Sequence, residues 1–87
     1  MLPIQDLLHR IRWDPEFGAG RFEVAYLDKL EDMLVRVPFG ALRFEPAERF
    51  GFEVADLHGE FRFIPFHRVR EVYRDGKLIW QRPTHDA

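Results

Sequence analysis

Hydrophobic positions near the N-terminus repeat with the period of a helix. Apolar side chains recur at i, i+3, i+4 and i+7, namely Ile4, Leu7, Leu8 and Ile11. This spacing places them on one face of an α-helix. Pro3 suits the first turn, and Pro15 disfavours helical backbone at the residue before it. The pattern predicts an amphipathic helix from about Pro3 to Arg12.

From Arg21 the period of hydrophobicity changes to two, which is typical of a half-buried strand. The alternating positions are Phe22, Val24 and Tyr26 with Glu23 and Ala25 between them. A polar turn over Asp28 to Asp32 and a returning strand over Met33 to Val37 follow, and Pro38 ends that strand. Residues 39–49 fit a short helical turn, because Pro46 excludes a long element.

A second pair of strands is predicted in the middle of the chain. Phe50 to Asp56 and Phe61 to Ile64 are the two strands, joined by a turn over Leu57 to Glu60 that contains Gly59. Pro65 lacks a backbone N–H and should interrupt the second strand.

The last predicted hairpin turns at Asp75-Gly76, a preferred two-residue hairpin turn. Its expected pairs are Arg74 with Lys77, Tyr73 with Leu78, Val72 with Ile79 and Glu71 with Trp80. One face should meet the core; it collects Val69, Tyr73, Leu78 and Trp80, with Glu71 as the exception. The other should face solvent; it collects Arg70, Arg74, Lys77 and Gln81, with Val72 and Ile79 between them.

These elements predict a single α+β domain over residues 1–87. An N-terminal amphipathic helix packs on a mostly sequential antiparallel sheet of five or six strands. A chain of 87 residues, 46% hydrophobic and 15% aromatic, is too short to divide its apolar residues between two cores.

The composition excludes several classes of protein. There is no cysteine and no serine, which rules out disulfides, thiolate metal sites and Ser or Cys nucleophiles. No apolar run approaches the ~20 residues of a membrane span, and a cytoplasmic protein without a membrane association is expected. Phosphate-binding glycine loops and helical His pairs are absent, so neither a cofactor nor a metal site is predicted.

Charge is distributed unevenly along the chain. The formal net charge is −2, yet residues 61–82 contain six basic and two acidic side chains, whereas the remainder contains seven basic and thirteen acidic ones. Eleven of the thirteen cations are arginine, the residue whose planar fork matches phosphate. A GC-rich genome that encodes Arg in place of Lys explains the arginine bias equally well.

The segment from Phe63 to Arg70 contains the densest group of side chains that could bind an anion. His67 beside Arg68 and Arg70 suits a phosphate monoester or cyclic diester. The alternative is that His67 forms hydrogen bonds with the backbone at the start of a strand and that both arginines are exposed to solvent. In a regular strand His67 points away from both arginines, so the three can converge only if Pro65 or a bulge near Phe66 reorients the chain.

A second candidate cluster lies after the predicted helix, where Trp13 and Asp14 follow Arg10 and Arg12. The alternative interpretation makes Trp13 a core residue and Asp14 a local cap. Four other aromatic residues are expected in the core rather than as base-stacking platforms: Phe22, Tyr26, Phe61 and Phe63.

Five separated segments resemble the domain-of-unknown-function 504 family, also described as an RNA cyclic-group end-recognition domain. They are Leu7 to Pro15, Glu23 to Asp28, Val37 to Phe39, Ile64 to Arg70 and Asp75 to Arg82. The resemblance implies recognition of RNA ends that bear a 2′,3′-cyclic phosphate, in RNA processing or repair. The ligand-binding residues that it implies are His67, Arg68 and Arg70, with a second cluster of Arg12, Trp13, Asp14, Tyr26 and Trp80.

Three functions are consistent with these residues. The leading one is a non-catalytic module that binds RNA ends. A small phosphodiesterase would use His67 as general acid or base, but no second acid-base residue accompanies it. A protein-interaction adaptor would dock the last hairpin on an RNA-processing or repair enzyme through an exposed apolar patch and would lack RNA affinity.

Overall fold

One helix and six strands make up the computed structural model, which describes residues 3–56 and 58–82. The elements in chain order are α1 (Ile4–Trp13), β1 (Phe22–Asp28), β2 (Met33–Pro38), β3 (Gly51–Ala55), β4 (Phe61–Pro65), β5 (Val69–Arg74) and β6 (Lys77–Gln81). Two 3₁₀ turns, Phe39–Ala41 and Phe66–Arg68, precede β3 and β5. The α+β class is confirmed. The predicted turn between β3 and β4 begins at Leu57, which lies outside the described residues.

Helix α1 lies within one residue of its predicted bounds at each end. All four predicted apolar positions are buried, namely Ile4, Leu7, Leu8 and Ile11. Asp14 takes an extended backbone with φ −101° and ψ 105°, as expected for a residue before proline. In the described part of the chain, no helix has the length and apolar character needed to cross a bilayer.

The strands form two antiparallel sheets rather than the single sheet predicted. A four-stranded sheet has the order β2-β1-β5-β6, and β3 pairs with β4 in a separate two-stranded sheet. Pro65 ends β4, and the 3₁₀ turn Phe66–Arg68 redirects the chain. Strand β5 therefore pairs with β1 and not with β4.

The core joins the helix to both sheets. Its buried residues come from α1, from both sheets and from the loop before β3. Tyr26 of β1 and Phe52 of β3 meet edge to face, with ring centroids 6.4 Å apart. Phe52 also packs against Phe66 at 6.1 Å. Phe52 thus links the two sheets to the turn before β5.

The last hairpin keeps its predicted turn but not its whole register. Asp75 and Gly76 both have positive φ, 50° and 82°, which is typical of a type I′ turn. The pairs Arg74–Lys77 and Tyr73–Leu78 are confirmed. Beyond them the register shifts. Val72 pairs with Trp80 and Glu71 with Gln81, so the predicted pairs Val72–Ile79 and Glu71–Trp80 are wrong.

This bulge changes which side chains face the core. Ile79 is the extra residue on β6, so Trp80 shares the buried face with Val72, which is 0% exposed. Leu78 is exposed and Tyr73 is half-buried, with its hydroxyl donating to Glu71 at 2.7 Å. The predicted core face is therefore correct at Val69 and Trp80 and wrong at Tyr73 and Leu78, and the predicted solvent face is wrong at Val72, which is buried. An inserted residue reverses the alternation beyond it.

Candidate functional site

The 3₁₀ turn Phe66–Arg68, here termed the connecting turn, points its three side chains in three directions. Phe66 packs against Phe52 and lines a groove beside α1. The imidazole of His67 is exposed. Arg68 lines a different groove beside β4. The turn therefore lies between two grooves, with a histidine facing solvent between them.

Two guanidinium groups are held against the backbone of this turn. Nη1 of Arg70 donates to the carbonyl of His67 at 2.6 Å. Arg82 donates from Nε to the carbonyl of Val69 at 2.9 Å and from Nη2 to the carbonyl of Phe66 at 3.2 Å. The connecting turn with Arg70 and Arg82 is termed the arginine corner. Among the described residues, no carboxylate lies within 4.0 Å of either guanidinium.

A second β-bulge and the hairpin pairing bring these arginines together. Strand β1 pairs Ala25 with Glu71 and Tyr26 with Val69, so Arg70 is an extra residue of β5 opposite β1. Bulges re-aim side chains in this way. The backbone N–H of Arg82 donates to the carbonyl of Arg70 at 2.8 Å. Positive charge therefore accumulates beside a turn whose carbonyl oxygens accept hydrogen bonds from both arginines.

Arg82 is held in a partly desolvated position. Its guanidinium carbon lies 5.2 Å from the ring centroid of Trp80. Burial lowers the pKa of Arg82 from its usual value, and the positive charge of Arg70 lowers it further. Both effects disfavour the charged form of Arg82. An anion between Arg70 and Arg82 would offset both effects.

The side chain of Arg68 lies apart from the guanidinium groups of Arg70 and Arg82. It lines a groove of about 450 Å³, here termed the strand groove. Its Nε is buried and has no hydrogen-bond partner among the described residues. The connecting turn thus separates Arg68 from Arg70, and Arg82 takes the second position at the corner.

Arg82 is not among the site residues predicted from the sequence. Two signals were available. One is the excess of cations over residues 61–82, and the other is the hairpin pairing that brings residue 82 beside residue 70.

The residues of the second candidate cluster differ in their positions. Trp13 lies at the surface, whereas Asp14 accepts backbone hydrogen bonds after the helix. Trp13 is 63% exposed, so its interpretation as a core residue is wrong. Its ring borders a groove of about 520 Å³, termed the helix groove, which Phe66 also lines. The guanidinium of Arg12 lies 5.0 Å from the Trp13 ring and 4.4 Å from the Phe44 ring. These contacts place a cation beside an accessible indole.

Asp14 has the capping role of the alternative interpretation. Its Oδ1 accepts from the backbone N–H of Glu16 at 3.1 Å and of Phe17 at 3.2 Å. Arg10 pairs with its other oxygen at 3.6 Å. The bond from Phe17 is the main reason that the pKa of Asp14 lies below its ordinary value. Both carboxylate oxygens of Asp14 therefore have partners within the chain.

Tyr26 and Trp80 are structural rather than accessible. Tyr26 is 1% and Trp80 8% exposed, and burial raises the pKa of the Tyr26 hydroxyl. Phe61 and Phe63, predicted in the core, are exposed instead, because the separation of β3 and β4 into their own sheet leaves one face uncovered. No three His, Asp or Glu side chains in the described ranges are placed to hold a metal ion.

A comparison with protein-family models identifies the family. Residues 1–82 match the model of the MJ1316 RNA cyclic group end recognition domain. Domain-of-unknown-function 504 is an older name for the same family, so the resemblance is confirmed. No solved structure matches the chain. The chain belongs to the MJ1316 RNA cyclic group end recognition domain family, whose name indicates recognition of RNA ends that carry a cyclic phosphate.

Proposed function

We propose that this chain binds RNA ends bearing a 2′,3′-cyclic phosphate and that the arginine corner holds the phosphate. The observation that supports this most directly is the pair of guanidinium groups of Arg70 and Arg82. Backbone carbonyls hold both groups, and neither has a carboxylate partner among the described residues. Carbonyls orient the cations but leave their charge uncompensated, which favours an anion.

Each group at the corner has a distinct role in this proposal. The hydrogen bonds to backbone carbonyls use one nitrogen of Arg70 and two of Arg82, so further N–H groups of both remain for the non-bridging oxygens of the phosphate. His67 is exposed on the same turn and donates a hydrogen bond to one of these oxygens. Recognition is by charge and hydrogen bonding and requires no covalent step.

The terminal base stacks on Trp13. This indole is exposed, and the helix groove beside it extends to Phe66, whose carbonyl accepts a bond from Arg82. Unstacked bases at RNA ends are commonly held on aromatic side chains, at about 1 to 3 kcal/mol per base. Arg12 lies against the same ring and adds positive charge. Asp14 organises the loop, Tyr26 and Trp80 support the fold, and Arg68 lies in the strand groove.

A second candidate function is the adaptor. It is favoured by Leu78 and Ile79, which are 46% and 41% exposed on the last hairpin. Both are on β6, which lies at the edge of the four-stranded sheet. A partner such as an RNA-processing or repair enzyme would cover them, and this adaptor would have no RNA affinity of its own.

A binding experiment separates the proposed functions. Short RNAs of one sequence, ending in 2′,3′-cyclic phosphate, linear phosphate or hydroxyl, are titrated against the wild type, His67→Ala and Arg70→Ala by fluorescence anisotropy. The RNA is analysed afterwards for ring opening. We expect tight binding of the cyclic end without turnover, and a loss of about 1.5 to 3 kcal/mol for Arg70→Ala. Ring opening would indicate a phosphodiesterase, and no binding of any of the three RNAs would favour the adaptor.

A further inference from the structure

The outer face of the β3–β4 sheet presents two accessible phenyl rings. Phe61 and Phe63 lie on the same face of β4 and are 52% and 42% exposed. They stand two residues apart, which separates them by about 7 Å along the strand. Their partners across the sheet are Ala55 and Glu53. Neither partner is large enough to cover the rings.

Each ring lies against a neighbouring part of the chain. A Cβ atom on Gly51 would lie 2.6 Å from Cζ of Phe63, so the absence of a side chain at Gly51 allows the ring to lie over the neighbouring strand. Arg43 places its guanidinium carbon 4.5 Å from the Phe61 ring centroid. Rings with such neighbours lose less conformational entropy than free rings when a flat ligand stacks on them.

The strand groove beside these rings is cationic. Its lining includes both phenylalanines, Lys29, Arg62, Arg68 and Asp28. Asp56 neutralises Arg62, whereas Lys29 and Arg68 have no carboxylate within 4.0 Å among the described residues.

Two further observations describe the donors and acceptors of the groove. The buried Nε of Arg68 has no acceptor among the described residues. Asp28, the one carboxylate of the lining, already accepts at Oδ1 from two backbone N–H groups. The groove therefore offers uncompensated positive charge and an unused donor beside two stacking surfaces.

We propose that this surface binds the single-stranded RNA that precedes the terminal nucleotide. Bases stack on Phe61 and Phe63, and a backbone phosphate lies against Arg68 and Lys29. Aromatic rings along a strand beside uncompensated cations are the combination that holds single-stranded nucleic acid. The inference rests on the proposed function for the identity of the ligand as RNA.

The connecting turn joins this surface to the arginine corner. His67 faces solvent and the next residue, Arg68, lines the strand groove. Consecutive Cα atoms are about 3.8 Å apart, so one RNA strand has a short path from the corner to the groove. The proposal therefore predicts a binding footprint of several nucleotides rather than of the end alone.

The test compares RNA lengths at a constant end. A dinucleotide and an octanucleotide, both with a 2′,3′-cyclic phosphate, are titrated against the wild type, Phe61→Ala/Phe63→Ala and Phe50→Ala. The wild type should bind the octanucleotide more tightly. The double variant should lose ~10-fold or more of its affinity for the octanucleotide and bind the dinucleotide normally. Phe50 is 69% exposed and does not line the groove, so Phe50→Ala should match the wild type.

Two additional measurements keep the result interpretable. Circular dichroism melting verifies that the double variant folds. In Phe63→Trp, the octanucleotide should quench more of the indole fluorescence than it does in the wild type, whereas the dinucleotide should quench the variant and the wild type equally. Wild-type affinity of the double variant for the octanucleotide would overturn the inference. So would a dimer in sedimentation that the double variant abolishes without any effect on RNA, because the face would then bind a second copy.

The same data distinguish failure of this inference from failure of the proposed function. If end discrimination persists but affinity does not increase with length, only the inference fails. If affinity increases with length through Phe61 and Phe63 but does not depend on the end group, the arginine corner is not an end-binding site. In that case only the surface that contains Phe61 and Phe63 binds RNA.

Discussion

The guanidinium of Arg70 lies 2.6 Å from the carbonyl oxygen of His67, although residues 67 and 70 would face opposite sides of a regular strand. The 3₁₀ turn that includes His67 and the bulge at Arg70 bring them together. The bond fixes the direction of the cation without neutralising it. This is the basis for assigning the phosphate to the arginine corner.

Substitution of Arg82 tests the second cation of the corner. Arg82→Ala should weaken binding of cyclic-phosphate RNA by ~10- to 100-fold, because charged hydrogen bonds to the phosphate are lost. The affinity of Arg82→Lys should lie between those of the wild type and Arg82→Ala, since an ammonium keeps the charge without the planar fork. Anisotropy titrations measure both. Lys77→Ala removes one exposed cation at the hairpin tip and serves as the control; an equal loss there would indicate a general charge effect.

Replacement of Trp13 should separate base stacking from folding. Trp13 is 63% exposed, so Trp13→Ala should change the free energy of unfolding by no more than about 0.5 kcal/mol. Binding of RNA with a normal terminal base should weaken by about 1 to 3 kcal/mol. With an abasic terminal nucleotide the variant and wild type should bind equally. An unchanged affinity for the normal end would place the base elsewhere.

Ionisation of Asp56 should make the free energy of unfolding depend on pH in the acid range. It accepts from Arg62 and from the backbone N–H groups of His58 at 2.8 Å and Glu60 at 3.0 Å. The Arg62 bond chiefly lowers the pKa of Asp56 below its ordinary 3.8. A depressed folded-state pKa stabilises the fold above the unfolded-state value, and this stabilisation is lost as pH falls through the folded-state value.

Asp56→Asn should therefore be less stable than wild type near neutral pH, and the difference should shrink below the ordinary pKa of 3.8. Urea unfolding across this pH range gives the two curves. Parallel curves would show that the ionisation of Asp56 is not linked to folding.

Two neighbouring phenylalanines give a matched test of the core. Phe52 is 1% exposed and contacts the rings of Tyr26, Phe44 and Phe66. Phe52→Ala should lower the free energy of unfolding by about 3 to 5 kcal/mol. Phe50 is 69% exposed, and Phe50→Ala should cost no more than about 0.5 kcal/mol. Similar losses in denaturant unfolding would contradict the described packing.

Local pattern predicted most of the elements because each depends on nearby residues. The helix follows from four apolar positions and Pro15, and the last turn from Asp75-Gly76. Pairing across the chain is different. Nothing in alternation alone indicates that β5 pairs with β1, or that Ile79 bulges and reverses the faces of β6. The exposure of Phe61 and Phe63 also depends on long-range pairing, because β3 and β4 form a separate sheet.

The candidate site was predictable only in part. The sequence shows a histidine and two arginines over residues 67 to 70, and it predicts that they converge only if Pro65 or a bulge near Phe66 reorients the chain. The separation of Arg68 from Arg70 depends on the path of the connecting turn, and the arrival of Arg82 depends on the pairing of β5 with β6. Neither is encoded in local spacing.

Arginine side-chain NMR tests the central claim most directly. A dinucleotide ending in 2′,3′-cyclic phosphate is titrated into the protein while the Nε–H signals are followed, with the hydroxyl-ended dinucleotide as comparison. The signals of Arg70 and Arg82 should shift together and saturate with the cyclic end, while that of Arg36, paired with Glu23 at 2.7 Å, stays in place. Unmoved Arg70 and Arg82 signals, or equal shifts with the hydroxyl end, would contradict a phosphate site at the arginine corner.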